Sequence, residues 1–381
     1  MLYFLGILQT IGVHTLLGLS AYVLLLTGQL SLGQVGFFAI GAYVSGILTV
    51  LFSWHIFAAL AVGALVAGFF AFLIGFPALR VKGLMLVVAT IAFSEIVRLF
   101  FFNLSWRVEV NGFDVGPDST QGFREIRYFA ANGWEQTHVV ALIWSFVILV
   151  MFLLWWLDRV RAGAVLRAVG EDDLAAQSSG VNLTMVKVAA MTAGGVIAGI
   201  GGGLFAHSTT YVDHHTFTIL LATFAVSYPI LGGHKNVLGT LLAVIFIQGF
   251  VIEGLRFMGD YRNIVFGLLI ILAMNLRPQG LVDGHFISDI KKTSVSMGYS
   301  VDLVNDFFSS AEIDPAVLKA DQSQTIFRKS FSEFSNAVIS PHRLQNAAIN
   351  KRRYKQTFSK IKHQYGVPKE ILLAFWALET D

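Results

Sequence analysis

LMLVVATIAFSEIVRLFFFN, Leu84–Asn103, fills an apolar run, roughly Gly83–Leu104, that is long enough to cross a bilayer as one helix, because a span needs about 20 mostly apolar residues. Its only ionisable side chains are Glu95 and Arg98, three apart and so able to pair on one helix face. Comparable runs cover roughly Leu2–Leu26, Leu30–Phe52, Trp54–Phe76, His138–Leu157, Val188–Ala206, Phe217–Leu231, Val237–Phe257 and Ile264–Leu276, the Phe217 and Ile264 runs being short. Charged residues make up 13% of the 381-residue chain, where a soluble domain carries about 25%. These features predict an all-α fold, a polytopic transmembrane bundle of about 8–9 spans, followed by a partial soluble helical domain. The first run has no basic flank before it and no clear small-residue cleavage site, so it is expected to be a span and not a removable signal peptide.

Several function classes fall away at once. There are no cysteines, which excludes disulfides, thiolate metal sites and a Cys nucleophile. The net charge of +3 fits basic loops facing the cytoplasm and does not argue for nucleic acid. Arg80 and Lys82 mark one such loop, and Arg159, Arg161, Arg167 and Lys187 mark another. Ser105–Thr137 is then outside. Continuing the count puts His207–Thr216 outside, Gly232–Asn236 inside, Gly259–Asn263 outside and Arg277 inside. The tail is therefore expected to begin in the cytoplasm.

Within the apolar part, Thr27–Gly41 is Gly-rich and carries Gln29, Ser31 and Gln34. It reads as a broken or re-entrant helix, which requires cover by protein or water. Gly195, Gly199 and Gly203 recur on one helix face and read as a packing stripe. Glu253 and Arg256 repeat the spacing of Glu95 and Arg98; local structural pairing is the expected role of both pairs, although ionisable groups inside a bilayer are functional candidates. His207, Asp213, His214 and His215 lack metal-ligand spacing and read as an interface loop, so no metal is expected. The polar stretch RAVGEDDLAAQSSGVNLTMVK, Arg167–Lys187, lies between two spans. Glu171, Asp172 and Asp173 favour a helix start, Ala175 and Ala176 continue it, and Gly180 can stop it. Spacing leaves two readings open, a solvated loop or a docking helix for another protein.

The order E-D-D-L-A-A, three residues and then Gly, resembles the cytoplasmic coupling loop of ABC importer membrane subunits. TGQLSLGQVGFFAIGAY at Thr27–Tyr43, the Leu84–Asn103 run and FGLLIILAMNLRPQGL at Phe266–Leu281 complete a resemblance to the Liv-type branched-chain amino acid permease family over residues 1–284. NGFDVGPDS at Asn111–Ser119 is a looser version of that family's outer stretch. The resemblance implies a multi-pass subunit of the bacterial inner membrane, surrounded by lipid. It implies three kinds of partner: a second homologous permease, two cytoplasmic ATPases seated on the coupling loops through Glu171, Asp172, Ala175, Ala176 and Gly180, and an extracytoplasmic substrate-binding protein. No cofactor is expected in this chain, since it has no G-x-x-x-x-G-K-[ST] phosphate loop and ATP would sit on the partners. A urea or short-amide importer subunit would look alike. A channel or secondary carrier differs in needing no ATPase.

Near Gly284 the character changes. Residues 285–300 read as a linker, and 301–381 carry soluble amphipathic spacing, with Phe327, Phe331 and Phe334 on one face. IDPAVLKADQSQTIF at Ile313–Phe327, SPHRLQNA at Ser340–Ala347 and YGVPKEILLAFWALETD at Tyr365–Asp381 resemble the start of the lytic murein transglycosylase B family. The resemblance makes Glu379 the catalytic acid, and Phe375, Trp376 and Leu378 could raise its pKa by desolvation. Asp381 follows Glu379 by two residues, so the tail is expected to lack the rest of its groove and to be inactive. A membrane-tethered peptidoglycan lyase acting through Glu379 is the alternative of a different class.

Overall fold

The computed structural model describes residues 2–78, 83–110, 113–233, 236–259, 261–276, 349–350 and 352–365. The chain divides into two units, Met1–Asp289 and Ile290–Asp381. Arg80, Lys82, Arg277, the 285–300 linker and the tail residues through Glu379 that carry the second resemblance lie outside the described residues. Of the second unit, the helix Lys355–Tyr365 is described.

Five helices of the first unit are long and apolar enough to cross a membrane: α1 (Leu2–Leu25), α3 (Ile56–Ala78), α4 (Leu84–Asn103), α6 (Gln136–Arg159) and α9 (Leu183–Thr209). Shorter apolar helices accompany them: α2 (Gln34–Val50), α10 (Ile219–Gly232), α11 (Val237–Val244) and α12 (Tyr261–Leu276). α11 runs on into a π-helical stretch, Ile245–Glu253. The result is an all-α, multi-span membrane bundle with five clear spans.

The bundle closes around α9, which packs on α1, α2 and α3. Its glycines make that possible. A Cβ on Gly199 would stand 2.7 Å from Ala67 Cβ and 2.9 Å from Ala64 Cα of α3, and one on Gly203 would stand 2.9 Å from Ser45 Oγ of α2. Gly195 lies on Ala71 and Ala67 of α3, and Gly202 lies against the Phe38 carbonyl of α2. Without a hydrophobic force between helices in lipid, such close backbone approach supplies the dispersion contacts that hold spans together.

The segment between α4 and α6 holds more than a loop. Strands β1 (Val108–Val110), β2 (Phe113–Pro117) and β3 (Phe123–Arg124) form an antiparallel sheet in that order, with Val108 opposite Val115. Phe123 also bridges to Val212 after α9. Its ring is fully buried over Gly46 of α2, so the sheet is fastened onto one end of the core. The short helix α5 (Tyr128–Ala131) adds Phe129, whose ring lies 5.9 Å from that of His207.

The Gly-rich stretch after α1 is a non-helical connection that buries Thr27, Gln29 and Ser31, and α2 starts only at Gln34. A non-helical backbone at this depth must find partners. Gln29 N donates to the Leu24 carbonyl at 3.1 Å, and Gly33 N donates to Ser31 Oγ at 3.1 Å. α4 supplies the rest: Leu32 N donates to Thr90 Oγ1 at 3.2 Å, and Ser94 Oγ donates to the Leu32 carbonyl at 3.1 Å. The carboxamides of Gln29 and Gln34 are buried and have no hydrogen-bond partner among the described residues.

Candidate functional site

Between α6 and α9 the chain builds a polar arm. α6 ends at Arg159, whose guanidinium lies 3.8 Å over the Trp155 ring. Val160 is extended, and α7 (Arg161–Glu171) follows it. Arg167 pairs with Asp158, tying α7 back to α6. Asp172 is extended and starts the next helix, α8 (Asp173–Ser178). Its Oδ1 accepts from Leu174 N at 2.8 Å and Ala175 N at 3.0 Å, meeting donors that a helix start leaves unpaired. Lys187 Nζ donates to Asp173 Oδ2 at 2.6 Å and fastens α8 to α9.

α8 ends where Gly180 adopts φ +86°, a conformation that favours glycine. Val181 N donates to the Ala176 carbonyl at 3.1 Å across that turn. Asn182 then caps α9 through Met185 N at 3.1 Å. Ala176 is buried inside the arm, whereas Asp172, Ala175 and Gly180 are exposed. Leu174 and Met185 are 75% and 69% exposed on this otherwise polar surface. Large apolar side chains exposed beside a polar arm, one on α8 and one in the first turn of α9, mark a surface that another protein can cover.

The arm is seated on the connection after α1. Gly170, at the end of α7, lies against the Leu26 carbonyl so closely that a Cβ there would collide with it. Gly28 has φ +69°, and its own Cβ would stand 3.2 Å from the Gly170 carbonyl oxygen. The two glycines thus bring the arm backbone against Leu26–Gly28, and the same connection is held from its other side by Thr90 and Ser94 of α4.

On the opposite side, the structure brings Asp213, His214 and His215 together, with potential ligand atoms within 4.8 Å of one another. All three are consecutive, on and beside the 3-10 turn His214–Thr216. His214 Nδ1 is 2.7 Å from Asp213 Oδ1. Burial pushes the His214 imidazole below its usual pKa, and the Asp213 charge opposes that shift. His207 is not part of the group. Its Nδ1 faces the Gly203 carbonyl at 2.7 Å and its Nε2 faces Thr49 Oγ1 at 2.9 Å. The carbonyl can only accept, so Nδ1 carries the proton; the Thr49 hydroxyl also lies 3.1 Å from the Ser45 and Gly46 carbonyls.

Sequence reasoning passed over a buried polar triad. Tyr228 Oη of α10 lies 2.8 Å from His14 Nδ1 of α1, and Gln248 Nε2 of the π-helical stretch donates to Tyr228 Oη at 2.6 Å. The available signal was single polar residues inside apolar runs, His14 in the first and Gln248 in VIFIQGFVI.

The described residues thus form a bundle of spans that carries a capped polar arm on one side. A family model described as branched-chain amino acid transport system / permease component matches residues 3–274, and a transglycosylase SLT domain model matches residues 283–381. The LivM high-affinity branched-chain amino acid transport permeases of Salmonella typhimurium and Escherichia coli K12 are each 31% identical over 295 residues, covering 71% of this chain and 68% of theirs. The fructose import permease FrcC of Rhizobium meliloti is 24% identical over 70% of this chain and 75% of its own. No solved structure matches. The chain belongs to the branched-chain amino acid transport permease family and is joined to a transglycosylase-like segment.

Proposed function

We infer that the chain is the permease component of an ABC importer for branched-chain amino acids in the bacterial inner membrane. It works with a second permease, two cytoplasmic ATPases and an extracytoplasmic binding protein. About eight or nine helices cross the membrane, the shorter apolar ones pairing with loops and the π-helical stretch to complete their length. Residues 1–284 are the permease, 285–300 a linker and 301–381 the transglycosylase-like segment. The observation that carries this reading is the seated arm: Asp172 caps α8, Leu174 and Met185 offer an apolar contact, and Gly170 bears on the α1–α2 connection. Nucleotide held by the ATPases shifts the population of inward- and outward-open states by moving α8, and the contact at Gly170 passes that movement to the spans. Binding-protein-dependent, ATP-driven leucine uptake by the assembled importer tests the reading. Uptake that survives loss of ATP hydrolysis would assign the chain to a carrier or channel.

The transglycosylase-like match is the observation behind a second reading, peptidoglycan cleavage through Glu379. We favour an inert tail, because the orientation argument starts it in the cytoplasm while peptidoglycan lies outside. Incubation of the purified full chain with peptidoglycan should release no 1,6-anhydromuropeptides; release abolished by Glu379→Gln would reverse that assignment.

A further inference from the structure

Building on the assignment to amino-acid import, we propose that Glu95 and Arg98 of α4 form a binding site inside the membrane for the charged end of the zwitterionic substrate. Arg98 receives its carboxylate and Glu95 its ammonium.

Position comes first. Glu95 lies about 16 Å along the axis from Leu84 and about 12 Å from Asn103, at a rise of about 1.5 Å per residue. The pair is therefore well inside the apolar run and not at its ends. Exposure comes second. The Glu95 side chain is 49% exposed and that of Arg98 20%. Only Leu86, Thr90, Ser94, Val97 and Phe101 of α4 are buried, all on the face turned to the core. A charged side chain at mid-membrane costs at least about 2.5 kcal/mol against hydrocarbon, and such groups almost always face protein or a water-filled path. Leu84, Val88 and Leu99 on the same side of α4 are exposed and apolar, so this face is one that the second permease covers in the assembled importer, with the pair on a water-filled path along that seam.

The chemistry of the pair selects the ligand. Arg98 Nε donates to Glu95 Oε2 at 2.9 Å and Arg98 Nη2 to Oε1 at 2.5 Å. This leaves N–H donors on the outer edge of the guanidinium and lone pairs on both carboxylate oxygens. A zwitterion presents the complementary charges on one carbon, so it can dock with the pair closed and no net charge brought into the membrane. Anions or cations alone would leave one charge unmatched. The other ion pair in an apolar stretch is differently placed. Glu253 already takes the Tyr3 hydroxyl at 2.5 Å as well as Arg256 at 3.2 Å, at the end of the π-helical stretch. The opposite face of α4 carries Thr90 and Ser94, which hold the connection on which the arm is seated, so the site and the arm share one support.

This chain has no cysteines, so the unmodified importer sets the background from thiols on the partner chains. Leu99→Cys adds one thiol one turn from Glu95, on the same face, in the assembled importer held in nanodiscs. A charged methanethiosulfonate reagent should modify it, and leucine should slow the modification. Radiolabelled leucine binding to the same complex without its binding protein should weaken about tenfold or more in Glu95→Gln and in Arg98→Gln, as expected for losing a charge-assisted hydrogen bond. Intact assembly and basal ATP hydrolysis show that the variants fold. An inert thiol, modification indifferent to leucine, or wild-type leucine affinity in both variants would each overturn the proposal. Absence of binding-protein-dependent leucine uptake in the unmodified importer would instead overturn the underlying functional assignment.

Discussion

Gly170→Ala is the sharpest probe of the seat between the arm and the spans. The added Cβ would overlap the Leu26 carbonyl, a backbone atom that cannot swing aside, so α7 must lift by about 1 Å to regain ordinary contact. Overpacking of this kind costs about 1–3 kcal/mol, partly recovered as the arm tilts away. The arm itself should survive, since the Asp172 cap, the Asp173–Lys187 bridge and the Arg167–Asp158 pair do not involve Gly170. The expected phenotype is uncoupling: ATP hydrolysis by the assembled importer is retained while leucine uptake per ATP falls severalfold. The assay is paired measurement of both rates in proteoliposomes, with Ala168→Ser, a neighbouring exposed position, as control. Uptake per ATP equal to wild type in Gly170→Ala would refute the seat as a route of coupling.

Three further outcomes follow from named contacts. Asp172→Ala removes the cap of α8 and should cost about 1 kcal/mol locally, read as weaker ATPase association in pull-down with Asp172→Asn largely restoring it. Tyr228→Phe removes the hydroxyl shared by His14 and Gln248 and should lower the midpoint of thermal unfolding in detergent, for a loss of about 1 kcal/mol; an unchanged midpoint would show the triad to be idle. The depressed His214 pKa means that the unfolded chain binds a proton before the folded one does. Stability from this group is thus full above about pH 6.5 and falls as pH drops through the window below it. Thermal unfolding at pH 7.5 and 5.5 should show a smaller acid loss in His214→Gln than in wild type.

The parts legible in sequence are those fixed by composition over a whole helix. Leu84–Asn103, His138–Leu157 and Val188–Ala206 announce themselves because about 20 apolar residues have few alternatives. α8 was partly legible because Asp172 and Asp173 precede two alanines, a local capping signal. The three-stranded sheet was not, because strands as short as Phe123–Arg124 leave almost no alternation to read, and the pairing of Phe123 with Val212 depends on chain brought back by α9. Neither Gly170 against Leu26 nor Tyr228 against His14 has a local signature, since each contact joins segments far apart in sequence. Gly28 was visible as glycine, but its purpose appears only with the arm lying on it.

These contacts also decide where a movement of the arm must go. The connection Leu26–Gly33 has no helical hydrogen-bond ladder of its own to absorb displacement. Its backbone is held by the end of α1, by Gly170 on one side and by Thr90 and Ser94 on the other. Gly36 lets Ser94 approach α2 closely, a Cβ there standing 3.2 Å from Ser94 Cα. Interiors packed at this density transmit strain instead of cushioning it. The core of α2, α3 and α9 is locked by backbone-to-backbone contacts at Gly199 and Gly202, which leave no slack for sliding. Beside the approach of Ser94 to Gly36, α4 meets α2 through rings, the Tyr43–Phe101 stack at 3.9 Å and the Phe37–Phe93 contact at 4.9 Å. Displacement entering at Gly170 is therefore expected to reach α4, the helix that carries Glu95 and Arg98, through the Leu32 backbone that Thr90 and Ser94 hold.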